Sequence, residues 1–127
     1  MNNEQYLKES GRTVSDNYEA ISGRMTTQQN IDLLHAGIGL ATEGGEFLDA
    51  LKKHIFYGKE LDTVNLAEEL GDILWYVALA MRALDTTFDE QMDINIKKLS
   101  ARYPEKFDEF LAENRNLQIE RDILEGK

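Results

Sequence analysis

The chain has 127 residues, the usual size of one domain, and hydrophobic residues make up 42% of it, enough for a packed core, so a wholly disordered chain is excluded. Its formal charge is -10, from 24 acidic against 14 basic side chains. Such a surface repels a DNA or RNA backbone, which excludes polymer binding through a basic face, whereas small anionic substrates remain open to it if divalent cations stand between carboxylate and phosphate.

With no cysteine, disulfides and thiolate metal sites are excluded, which fits a reducing compartment. No apolar run approaches the roughly 18–20 residues of a membrane span, and the polar start Met-Asn-Asn-Glu-Gln-Tyr lacks the basic and apolar regions of a signal peptide. The expectation is a soluble cytoplasmic protein that works without a membrane.

In chain order, the segment up to about residue 25 has weak apolar periodicity, anchored by Tyr6, Val14, Tyr18 and Ile21, with Gly11 and Gly23 placed to divide it into short helical pieces. Thr26 and Thr27 offer N-caps for a long helix from Gln28 to about Tyr57, along which Ile31, Leu34, Ile38, Phe47, Leu48, Leu51 and Ile55 mostly recur at three- and four-residue steps. Gly58 stands where a helix commonly stops, and Asp62 or Thr63 caps a second helix running to about Leu84. Thr87 with Glu90 reads as a capping box opening a third helix, which ends near Ala101 because Pro104 disfavours helix at Tyr103. The charged stretch from about 105 to 127 reads as a helical tail that packs on a neighbour or frays. Short loops between long amphipathic helices predict a single all-α domain over residues 1–127, built as an antiparallel helical bundle.

Two segments carry chemistry-bearing residues. In Ala41-Thr42-Glu43-Gly44-Gly45-Glu46 and Glu68-Glu69-Leu70-Gly71-Asp72, the acid pairs Glu43 with Glu46 and Glu69 with Asp72 are three residues apart, hence on one helical face. Each pair lies in the apolar part of its helix, among Leu40, Phe47, Leu48, Leu70, Ile73 and Leu74. Like charges so placed repel, and burying them costs several kcal/mol per ion unless something compensates. Oxygen-binding divalent cations are a natural compensation. Carboxylates alone, without Cys or His at ligand spacing, favour Mg²⁺, with Mn²⁺ as a substitute, over Zn²⁺. A di-iron site of the ferritin type wants Glu-x-x-His, and neither His35 nor His54 follows a glutamate at that spacing. Solvated helix charges are the plain alternative for either pair alone; two pairs on consecutive helices weaken it.

Around these pairs, Lys53 lies seven residues after Glu46, two turns along the same face, and Tyr76 lies four residues after Asp72. Asn95, Lys98 and Arg102 form a polar-basic stripe on the third helix. Trp75 and His35 read as packed side chains. Gly37, Gly39, Gly44, Gly45 and Gly71, all inside predicted helices, suggest close helix approach around the acids.

The stretches ATEGGE, KKHIFYGK, EELGDILWY and NIKKLSARYPEKF are similar to the MazG-like members of the all-α nucleoside triphosphate pyrophosphohydrolase superfamily, whose relatives include all-α dUTPases and dCTP pyrophosphatases. The family signature is Glu-Glu-x-x-Glu on one helix and Glu-x-x-Asp on the next, and the similarity covers roughly Ile31 to Phe107. Thr42 replaces the first Glu; Glu43, Glu46, Glu69 and Asp72 complete the pattern. The resemblance implies that these four acids hold Mg²⁺ against the triphosphate of a nucleotide, and that water attacks the α-phosphorus to give a nucleoside monophosphate and pyrophosphate. Glu43, then Glu46, are the candidates for orienting or deprotonating that water. Lys53, Tyr76, Asn95, Lys98 and Arg102 are the candidates for substrate contacts. The resemblance also implies completion of the bundle by oligomerisation, as a homodimer or homotetramer. Two alternatives stay open: a non-catalytic helical interaction or nucleotide-binding module whose degenerate site is marked by Thr42, and hydrolysis of a phosphoribosyl-nucleotide.

Overall fold

The computed structural model describes residues Met1–Lys127 and is all-α. It has seven helices: α1 (Asn3–Gly11), α2 (Tyr18–Met25), α3 (Gln28–Tyr57), α4 (Thr63–Ala83), α5 (Phe88–Arg102), α6 (Glu109–Glu113) and α7 (Leu117–Leu124). None is long and apolar enough to cross a membrane.

Local chemistry sets every start. Asn2, Asn17, Thr27, Asp62, Thr87, Asp108 and Asn116 each accept a hydrogen bond from the backbone N–H three residues on, satisfying one of the donors that a helix leaves free at its N-terminus. The Thr87–Glu90 capping box forms in both directions. α3 ends on Gly58, whose φ of 66° is the left-handed conformation that glycine adopts without penalty. The tight α4–α5 turn puts Asp85 at φ 52°, a region that Asp tolerates better than most residues. Tyr103, at φ -126° and ψ 83° outside the helical region before Pro104, closes α5.

The main helix–helix packing is the hairpin of α3 and α4, with α2 against α3. Gln29 at the start of α3 donates to the Ala83 carbonyl at the end of α4, at 2.8 Å. Midway, the Tyr76 ring lies on Gly39 so closely that a Cβ there would fall 2.2 Å from ring carbons. Gly39 is therefore the point of closest approach. The expected close approach does not extend to Gly37, Gly44, Gly45 or Gly71, around which a Cβ would meet nothing within 4 Å. Gly11 ends α1 as expected, whereas α2 runs through Gly23. The tail is ordered as α6 and α7, and α7 packs against α5.

Only four residues are buried: Ala36, Gly39, Glu69 and Glu120. Leu34, Ile38, Leu48, Ile55, Leu70 and Leu74 of the hairpin are exposed, and Trp75, read from sequence as a core residue, is 57% exposed. His35 does pack, edge-on to the Trp75 and Tyr76 rings at 6.2 and 5.6 Å, although it too stands at the surface. The accessible surface is 10351 Å². A compact monomer of this mass exposes roughly 6,900 Å².

Candidate functional site

α3 and α4 bring three of the four signature acids together. Carboxylate oxygens of Glu43, Glu69 and Asp72 all lie within 4.8 Å of one another. Glu43 follows from α3; Glu69 and Asp72, one turn apart, face it from α4. Glu69 is buried and its Oε1 accepts a hydrogen bond from Asn65 Nδ2 at 2.8 Å, which fixes the orientation of that carboxylate. Glu43 is pushed above the ordinary carboxylate range, first by desolvation and then by the charges of Glu46, Asp72 and Glu69. The Thr42 hydroxyl opposes this weakly. It lies 3.4 Å from Glu43 Oε1, while its donor reaches the Gly39 carbonyl at 3.0 Å.

Glu46 stands outside the three-acid cluster and lines an adjoining cleft of about 290 Å³ together with Lys53 and Glu69. The cleft lies between the C-terminal half of α3 and the start of α4, and its other walls are Asp49, Ala50, Lys59, Glu60, Asp62 and Asn65. Only Ala50 is apolar, so the cleft suits a charged ligand rather than a greasy one. Lys53 is tied to Asp49 at 2.7 Å. Lys52 grips the same carboxylate, and together the two ammonium groups hold Asp49 down at about 2. Asp49 and Asn65 line this candidate site as well, outside the two acid pairs of the motifs. Their spacing was the available signal: Asp49 continues the Glu43–Glu46 ladder by three residues, and Asn65 precedes Glu69 by four.

Residues 33–107 match the family model of the MazG nucleotide pyrophosphohydrolase domain. The chain belongs to this family. Comparison with curated proteins and with solved structures returns no significant match. The stretch that matches the MazG domain begins inside α3, spans α4 and α5 and ends at Phe107; α1, α2, α6 and α7 lie outside it. All the expected site residues fall within the matched stretch.

Of the remaining expected residues in the MazG domain, Tyr76 stands one turn from the acid cluster, and Asn95, Lys98 and Arg102 are placed elsewhere. Tyr76 is half-buried, packed on Gly39 and edge-on to Trp75 at 5.0 Å. Asn95 and Lys98 line a separate groove of about 370 Å³, between α4, α5 and the end of α7, whose apolar walls include Val77, Met81, Phe88 and Leu124. Arg102 is engaged elsewhere: its Nε and Nη2 donate to the two carboxylate oxygens of Glu120, each at 2.7 Å.

The carboxylate cluster fits a hard divalent cation. It offers oxygen donors only, from both helices of the hairpin, and one of them is already oriented by an amide.

Proposed function

We propose that this MazG-family protein is a Mg²⁺-dependent nucleoside triphosphate pyrophosphohydrolase that cleaves (d)NTP to (d)NMP and pyrophosphate. The observation that carries the reading is the convergence of Glu43, Glu69 and Asp72 beside a polar cleft that also contains Glu46 and Lys53. In this reading Glu43, Glu69 and Asp72 hold Mg²⁺ or Mn²⁺, with Glu46 adjoining. A divalent ion there supplies neutralisation of the triphosphate charge, its orientation and the acidification of water.

The chain's own residues do the rest. Asn65 keeps the Glu69 carboxylate turned toward its neighbours. Glu46, next to the cluster but not within it, is the carboxylate left to orient the attacking water and take its proton, a role that the motif alone assigned first to Glu43. Lys53, positioned by Asp49, carries positive charge toward the phosphates in the cleft. Tyr76 stands one turn beyond Asp72 on α4. Asn95 and Lys98 meet the nucleoside end from their groove, where Val77 lies about 7.5 Å along α4 from Asp72. Arg102 contributes by holding α7.

The whole chain forms one domain in this reading, and it acts as a homodimer or homotetramer in the cytoplasm. Support for assembly comes from the surface: the isolated chain exposes roughly 3,500 Å² more than a compact monomer would, which is more than one partner's share of a usual obligate interface. A sedimentation mass equal to that of the 14.5 kDa monomer would overturn it.

The test of function is pyrophosphate release from a panel of standard and modified NTPs and dNTPs with Mg²⁺, comparing wild type with Glu46→Gln. Release that the substitution abolishes supports the reading and names the substrate. No release from a folded protein that still binds Mg²⁺ favours a non-catalytic module.

A further inference from the structure

The C-terminal segment contains a buried acid that the carboxylate site does not use. Glu120 lies in the first turns of α7, with its side chain 6% exposed, and two arginines surround it. Arg102, the last residue of α5, donates to both of its oxygens from a guanidinium 16% exposed. Arg115, in the bend before α7, adds Nε at 3.3 Å from Oε1 and an ion pair to Oε2. Two cations about one carboxylate satisfy it completely, and a planar guanidinium docked through two parallel bonds fixes orientation as well as distance.

The clamp sets the register of α7 on α5. Arg102 meets Glu120, and one turn away Lys98 shares a groove with Leu124. Lys98 precedes Arg102 by four residues and Leu124 follows Glu120 by four, so the two helices run antiparallel and each step covers about 6 Å. Leu124 is the residue of α7 that walls the groove holding Asn95 and Lys98. The clamp joins a residue of the MazG stretch, Arg102, to a segment outside it.

We propose that Glu120 is a positioning residue: clamped between Arg102 and Arg115, it locks α7 across α5 so that Leu124 closes the groove that receives the nucleoside end of the substrate. The inference rests on the reading above, in which Asn95 and Lys98 face the nucleotide. Glu120 touches no substrate. It acts through the placement of Leu124, so its removal loosens nucleotide binding and leaves the hydrolytic step at the carboxylates alone.

The experiment uses the full-length protein with Mg²⁺ and the substrate found in the pyrophosphate assay. Amide hydrogen exchange of α7 is followed in Glu120→Gln, and kcat and KM are measured for Glu120→Gln, Leu124→Ala, Leu124→Met, Asn95→Ala and Lys98→Ala. Exchange in α7 is expected to rise on the order of a hundredfold in Glu120→Gln, because the largely buried Arg102 loses its charged partner. KM is expected to rise about tenfold in both Glu120→Gln and Leu124→Ala, with kcat within about twofold and Leu124→Met close to wild type. Should Glu120→Gln not fold, Leu124→Ala with its Met rescue still decides the matter. Unchanged α7 exchange in Glu120→Gln, or an unchanged KM in Leu124→Ala while Asn95→Ala and Lys98→Ala raise it, overturns the lock and leaves the substrate reading standing. An unchanged KM in Asn95→Ala and Lys98→Ala overturns the substrate reading of the groove and the proposal with it.

Discussion

Two carboxylate sites, one on the α3–α4 hairpin and one where α7 meets α5, solve the same electrostatic problem in opposite ways. At Glu120 the chain answers its own buried charge with Arg102 and Arg115, and they hold the carboxyl down at about 2. At Glu43, Glu69 and Asp72 it gathers three acids within 4.8 Å and supplies one amide, Asn65, and no cation. There burial and the neighbouring charges push Glu43 up instead. A site that completes its own charge is structural. In the proposed function, the one that leaves like charges facing each other is completed by a divalent ion, and the family of this chain gives that reading a nucleotide context.

Neutralising an acid on the hairpin should have the largest effect. Asp72→Asn is expected to lower kcat/KM for pyrophosphate release by at least about a hundredfold, since charge stabilisation by a bound divalent ion is worth several kcal/mol. Without divalent ions the same substitution is expected to raise Tm, because one repelling charge beside Glu43 is gone. Adding Mg²⁺ then stabilises wild type by mass action and leaves the variant nearly unmoved. Thermal denaturation with and without Mg²⁺ reads both stability effects. A lower Tm for metal-free Asp72→Asn would show that the cluster, like Glu120, is internally satisfied.

Glu120→Gln should move in the other direction, with a fall in Tm of order 10 °C and no dependence on Mg²⁺. The pH dependence follows from the sign of each shift. Glu120 has its carboxyl lowered from 4.5 to about 2, so its contribution is present above pH 4.5 and is lost as pH falls toward 2. Glu43, raised, does the reverse: in the metal-free protein its contribution is present below pH 4.5 and is lost as pH rises through the higher folded value. Removing Glu120 should therefore flatten the acid side of the Tm profile, measured by calorimetry from pH 2 to pH 6 without divalent ions.

Much of this was legible in the sequence, because it is local. The α3 and α4 boundaries follow from capping residues and from Gly58, and the Thr87–Glu90 box from a four-residue pattern. The convergence of Glu43 with Glu69 and Asp72 follows from three-residue spacing on two helices joined by a short loop. What stayed hidden is non-local. Nothing in the spacing of Arg102 announces that its partner is 18 residues away, on a helix that the family stretch does not include. The family resemblance makes Arg102 a candidate substrate contact instead. Trp75 misled for a related reason. An apolar run predicts burial, but it does not say whether the covering surface belongs to the same chain, and here Trp75 remains on the outside of the hairpin.

The glycines allow the finest test, because they differ only in what lies opposite them. Gly39→Ala places a Cβ 2.2 Å from the Tyr76 ring, so either the ring or the hairpin must shift, and a loss of about 1–3 kcal/mol is expected from overpacking. Gly37, two residues earlier on α3, has nothing within 4 Å in its own chain. There alanine brings only its better helix propensity, a gain of up to about 1 kcal/mol in denaturant unfolding. That gain holds only if the space beside Gly37 is also empty in the assembled protein. A loss at Gly37 comparable to that at Gly39 would mean that a second copy fills the space, which would place the α3 face inside the proposed oligomer interface and tie the exposed leucines of the hairpin to the same contact.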